Sequence, residues 1–258
     1  MARSASQRAT RGLGAVALIV AAAGLGGCAT TQQEASRLQL NSARIRASEI
    51  PTRVAVSGKT VRITRVALVP GRGGTAFVVQ VHNAGARPVS DLPISVGVRV
   101  GHRPPRYLNV KSPSEFSYFD AHLPAVAAGG TLTWVYATAR RLPGRARPFA
   151  MVGAVPSVTA KPAGHLPVIL AGVAPALGHD AANASGSGLA VVLHNLSAIP
   201  QYQLQVYAYA LSGDRYVAAG NLTVLHLGSQ ARQTSKVALL GRVNHARLQI
   251  EALPTIVK

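Results

Sequence analysis

The segment Phe77-Val-Val-Gln-Val-His-Asn-Ala-Gly-Ala-Arg-Pro88 recurs without a gap as Leu189-Ala-Val-Val-Leu-His-Asn-Leu-Ser-Ala-Ile-Pro200, so that His82-Asn83 falls on His194-Asn195 at an offset of 112 residues. The match runs on into the next apolar stretch, where Leu92, Ile94, Val96 and Val98 meet Leu204, Val206, Ala208 and Ala210. Farther along, Gly129-Gly130 aligns with Gly228-Ser229 and Phe149–Met151 with Leu248–Ile250, at an offset of 99. Self-similarity on this scale makes the chain two copies of one module. The change of offset predicts 13 extra residues in copy one between Val98 and Gly129, a stretch that includes Gly101-His-Arg-Pro-Pro-Arg106.

Each copy reads as strands. Val61/Ile63, Phe77/Val79/Val81, Leu92/Ile94/Val96/Val98 and Leu132/Trp134/Tyr136 alternate with period two. Pro70-Gly71, Gly73-Gly74, Pro104-Pro105, Gly129-Gly130 and Pro143-Gly144 punctuate them and oppose long helices. Short alternating strands without helical crossovers predict an all-β chain of two tandem immunoglobulin-like antiparallel β-sandwiches, module one over residues 51–155 and module two over 156–258. The asparagine that ends a core strand, followed by a turn and a proline, resembles the cell-adhesion-related immunoglobulin-like domains of bacterial surface proteins. Copy one has the Asn-x-Gly turn of that group as Asn83-Ala-Gly85, and copy two departs from it with Ser197. The resemblance implies spacer or binding modules. Asn83 and Asn195 themselves are expected to fix turns, since an asparagine side chain bonds readily to nearby backbone.

Ahead of the modules stands a leader. Arg3, Arg8 and Arg11 precede the apolar run Leu13–Leu25, which is too short to span a bilayer, and the run closes on Leu25-Gly26-Gly27-Cys28. This N-terminus resembles that of bacterial lipoproteins, with leucine at −3, two small residues and the cysteine to be lipidated. The resemblance implies a signal peptide over 1–27, a diacylglyceryl and palmitate anchor on Cys28, and export to the outer face of the cell membrane, or to the outer membrane of a cell that has one. Residues 28–50 then form a polar tether with at most a weak helix at Leu38–Arg46. Cys28 is the chain's single cysteine, so packed cores must hold the fold without internal disulfides.

Chemistry-bearing patterns are sparse. The eight carboxylates are scattered, and no G-x-S-x-G, S-x-x-K or H-E-x-x-H occurs. The eight histidines lack ligand spacing, and only Met1 and Met151 offer thioethers. No catalytic residues, metal or cofactor are therefore expected, and an envelope enzyme ranks third among the functional readings. Charge is the stronger signal: 27 Lys plus Arg against 8 Asp plus Glu give +19, or +16 once the three leader arginines are gone. Such a balance favours anionic partners.

Two surfaces are candidate binding sites. Arg140, Arg141, Arg145 and Arg147 surround the Leu142-Pro143-Gly144 turn, and Arg99, Arg103, Arg106 and Lys111 mark the expected insert, so together they would form a cationic tip. The same charges would also suit ordinary solvated loops. Nucleic acid is disfavoured because these residues are not interleaved with aromatic stacking positions. In copy two, alternation places Tyr207 and Tyr209 opposite Leu204, Val206 and Ala208, as a partner-binding face or as a face covered by the domain junction. Copy one has Asp91, Pro93, Ser95 and Gly97 there, an exposed pattern. The leading expectation is a non-catalytic, membrane-anchored module that binds or scaffolds an envelope protein, and the second is a module that contacts anionic lipid or wall polymer.

Overall fold

The computed structural model describes residues 31–48, 53–110, 117–154, 168–174 and 188–254. Cys28, the leader and Lys111 lie outside them. The chain is nearly all β, built from antiparallel sheets. One helix, α1 (Thr31–Ser48), covers far more of the tether than the weak helix expected there, and it lies against strand β10 (Gln201–Ser212) of the second module. No helix among the described residues is long and apolar enough to cross a membrane.

Module one holds β1 (Val61–Gly71), β2 (Gly74–Asn83), β3 (Leu92–Arg99), β4 (Arg106–Tyr107), β5 (His122–Leu123), β6 (Thr131–Thr138) and β7 (Arg147–Val152). One sheet has the order β1-β2-β6; in the other, β3 pairs with β4 and β5 on one side and with β7 on the other. Module two repeats this plan. Its strands β8 (Ile169–Val173), β9 (Leu189–Asn195) and β12 (Arg232–Val237) form one sheet, while β10, β11 (Arg215–Leu227), β13 (Leu240–Gly241) and β14 (Arg247–Leu253) form the other.

The repeat is visible in the hydrogen bonds, and they correct its later register. Asn83 N–H donates to Gly130 O, and Asn195 N–H donates to Ala231 O, which sets that offset at 101. Ile94 pairs with Val152 and Val206 with Ala252, which sets the last strand at 100. Gapless matching of the glycines and of the final apolar triplets thus slips by one or two residues, because short apolar strings match almost equally well in adjacent registers.

The insert also falls elsewhere than expected. The β3–β4 loop of copy one and the β10–β11 hairpin of copy two span equal lengths, since Val98 pairs with Arg106 and Ala210 with Ala218. Continuous β11 corresponds instead to the broken pair β4 and β5. His122 follows Tyr107 by 15 residues, whereas the equivalent Thr223 follows Ala219 by 4, so 11 residues are inserted between them. This excursion carries its own replacement for the missing strand. Buried Asn109 accepts from Val96 N–H at 2.8 Å and donates to Ile94 O at 2.8 Å and Asp120 O at 2.9 Å. Trp134 Nε1 donates to Phe119 O and Tyr136 Oη to Leu108 O, pinning the excursion over the aromatic core.

That core includes Phe77, Val79, Val81, Leu132, Trp134 and Tyr136. Module two is filled by Leu189, Val191, Leu193, Leu204, Val206 and Ala208, with no aromatic ring in its cluster. Ala76, Val78 and Val135, on the other face of the β1-β2-β6 sheet, are buried too, because β10 and β11 of module two pack against that sheet. The two sandwiches therefore meet sheet face to sheet face.

Candidate functional site

Chain direction alone gathers the arginines. Strands β1, β3 and β6 run toward one end of module one and β2 and β7 run away from it, as their registers require. The β1–β2 turn, the β3–β4 loop and the β6–β7 loop therefore share that end. They carry Arg72, Arg99, Arg103, Arg106, Arg140, Arg141, Arg145 and Arg147, all exposed, and no carboxylate. The structure brings the six expected tip residues together and adds Arg72. Their loops are not the insert, however, so Arg103 and Arg106 belong to a hairpin common to both copies.

Several of these side chains are held. Arg99 and Arg147 are cross-strand partners, a like-charge pair that costs energy unless an anion or water screens it. Arg99 lies over the Phe149 ring with Cζ 5.1 Å from its centroid, Phe149 meets Tyr107 edge-on at 5.2 Å, and Arg53 lies 4.2 Å over Tyr107. A guanidinium on a ring face is favourable by about 0.5–1 kcal/mol at such exposed sites. Gly97 makes this packing possible: a Cβ there would sit 2.6 Å from Phe149 Cζ and 2.4 Å from Arg106 O. Arg141 donates from Nε and Nη2 to Arg72 O at 3.1 and 2.5 Å, tying the β6–β7 loop to the β1–β2 turn.

The tyrosine face is not an open surface. Alternation along β10 is as expected, with Leu204, Val206 and Ala208 in the module-two core, but Tyr207 is 0% and Tyr209 5% exposed, within the cluster that also holds Val78 and Val135. Module one covers them, so they are residues of the domain junction and not of a partner-binding face. Asp91, Ser95 and Gly97 are buried as well, because residues 53–58 run alongside: Val54 N–H donates to Ser95 Oγ and Gly58 N–H to Val152 O.

Polar groups at the junction are sparingly satisfied. Tyr209 Oη donates to Glu251 Oε1 at 2.5 Å, and Thr133 N–H reaches Glu251 Oε2 at 3.4 Å. Burial raises the Glu251 carboxyl above the usual carboxylate range, against the lowering effect of those bonds. Burial likewise pushes Tyr207 and Tyr209 well up, and the Tyr207 hydroxyl has no partner among the described residues.

Asn83 and Asn195 act as turn clamps. Asn83 Oδ1 accepts from Gly85 N–H at 2.9 Å while Nδ2 donates to Arg87 O and Ala127 O; Asn195 Oδ1 accepts from Ser197 N–H at 3.0 Å while Nδ2 donates to Ile199 O and Gly228 O. No group of three or more His, Cys, Asp or Glu suited to a metal occurs among the described residues.

No family model and no curated relative matches the chain. Among solved structures, the crystal structure of vicilin from Corylus avellana (hazelnut) overlaps 77% of this chain and 86% of its own at 6% identity and a TM-score of 0.11, a likeness too slight to carry an argument.

Proposed function

We propose that this chain is a non-catalytic envelope lipoprotein whose arginine end contacts an anionic lipid or wall polymer. The observation that carries the reading is the gathering of eight arginines, without a carboxylate, in three loops at one end of module one. Stacking and the Arg141 clamp hold part of that array in place before any partner arrives, which lowers the ordering cost of binding. Lipidation of Cys28 would keep the modules at the membrane, where each basic residue near an anionic surface contributes about 1 kcal/mol. The protein-scaffold reading depended on an open tyrosine face, and the junction occupies that face. The closer likeness to immunoglobulin-like adhesion modules belongs to the same proposal.

The test is sedimentation of the unlipidated chain with phosphatidylglycerol vesicles and with neutral phosphatidylcholine vesicles. Binding is expected to the anionic vesicles alone and to fall roughly tenfold or more between low and physiological salt, where the Debye length is ~8 Å. Replacing Arg140, Arg141, Arg145 and Arg147 by Ser is expected to abolish it. Salt-insensitive binding, or full binding by the four-Ser variant, would overturn the reading. Intact mass beside a Cys28→Ala variant checks the anchor.

A further inference from the structure

A second positively charged feature lies away from that end, where the modules meet. An open cleft of about 710 Å³ runs between β1 and the β10–β11 hairpin of module two, and Arg65, Arg215 and Arg242 line it together with Ser212, Tyr216 and Asn244. Arg65 comes from module one and the other two arginines from module two, so the site exists only in the docked pair. None of the three is ion-paired among the described residues. Asp214, in the turn next to Arg215, is not among the lining residues.

The geometry is set in advance. Half-buried Arg65 lies 4.9 Å over the ring of Tyr216, which is itself buried and packs edge-on against Tyr209 at 5.6 Å. Arg242 N–H donates to Val217 O at 3.0 Å, and the preceding Gly241 (φ +101°) presses against Gly71 with no room for a side chain: a Cβ would stand 2.1 Å from Val217 O and 2.7 Å from Val69 Cγ1. The backbones that project the arginines are thus fixed.

We propose that this junction cleft binds a compact phosphoryl-bearing anion. Three guanidinium groups on different elements suit a tetrahedral, multiply charged oxyanion better than a planar monovalent carboxylate, since each planar fork can pair with a separate edge of the phosphoryl group. The hydroxyl of Ser212 and the amide of Asn244 add neutral donors. The cleft is larger than a bare phosphate needs and falls within the range of small-molecule sites, which leaves space for a glycerol-sized substituent. The ligand would also bridge the modules and stabilise their docking by linkage.

The site is separate from the arginine end, and the experiment keeps the two apart. Glycerol 3-phosphate is titrated calorimetrically into the full exported chain at low salt, beside acetate. Saturable one-to-one binding is expected for the phosphate ester and not for acetate. An Arg215→Ser/Arg242→Ser variant, both positions being exposed, is expected to weaken it at least tenfold, while the four-Ser variant of the arginine end keeps it. Absence of saturable binding, or equal weakening by both variants, would overturn the proposal. If the double variant melts early, Arg242→Ser alone carries the comparison. Phosphatidylglycerol vesicles distinguish the sources: competition by free glycerol 3-phosphate for vesicle binding that the double variant no longer shows points to a lipid headgroup, and calorimetric binding without such competition points to a soluble phosphate ester.

Discussion

Asn83 shows how one side chain can be read from sequence and then sharpened by structure. Its position at a strand end identifies a turn residue; the structure adds that its amide donates to carbonyls while its oxygen accepts a backbone N–H. Only an amide offers both at once. Asn83→Asp is therefore expected to cost about 3 kcal/mol near neutral pH, as donors are lost and a carboxylate faces carbonyl oxygens, and urea denaturation measures it. A cost under about 1 kcal/mol would show the clamp to be dispensable. Glu251 titrates with the opposite sign to a salt-bridged acid. Its carboxyl is raised in the fold above the ordinary 4.5, so the folded chain holds the proton more tightly than the unfolded one. Its contribution to stability should grow as pH falls from the raised folded value toward 4.5 and stay level above that window. Denaturation of wild type beside Glu251→Gln checks this, with the glutamine variant expected to lose the dependence.

At the scale of elements, strand periodicity and the gapless part of the repeat were legible because β-strands write their inner face on every second residue. The excursion between β4 and β5 was not, since its anchor is a single buried amide, Asn109, indistinguishable in sequence from a loop asparagine. Nor was the gathering of Arg72 with the other tip residues read from sequence, although counting strand directions would have placed the β1–β2 turn there. The covered outer faces left a signal of their own: Thr75-Ala-Phe-Val-Val79 and Val206-Tyr-Ala-Tyr-Ala210 are apolar on both faces, as strands buried on both sides tend to be. Val135 tests that interpretation, because its counterpart in β12 is Lys236. Val135→Lys is expected to lower the melting temperature by about 10 °C through an unpaired charge in the junction. An unchanged melting temperature in scanning calorimetry would mean that the face is not buried in solution.

For the whole molecule, the junction joins the fates of two unequal cores. Trp134, Tyr136 and Phe77 fill module one, whereas module two depends on aliphatic side chains and on the tyrosines it lends to its neighbour. Unfolding is expected as one transition: Trp134 emission, which reports module one, and hydrogen exchange in β9 of module two should share a midpoint in urea. Two separated midpoints would show modules that are merely adjacent. The sheet-to-sheet packing has one more implication, for growth of the array. Module one offers Ala76, Val78 and Val135 to its neighbour, but the corresponding face of module two presents His194, Arg232, Thr234 and Lys236 to water. Module two is in this respect a capping repeat, and a third sandwich stacked in the same manner would find no dry face to rest on.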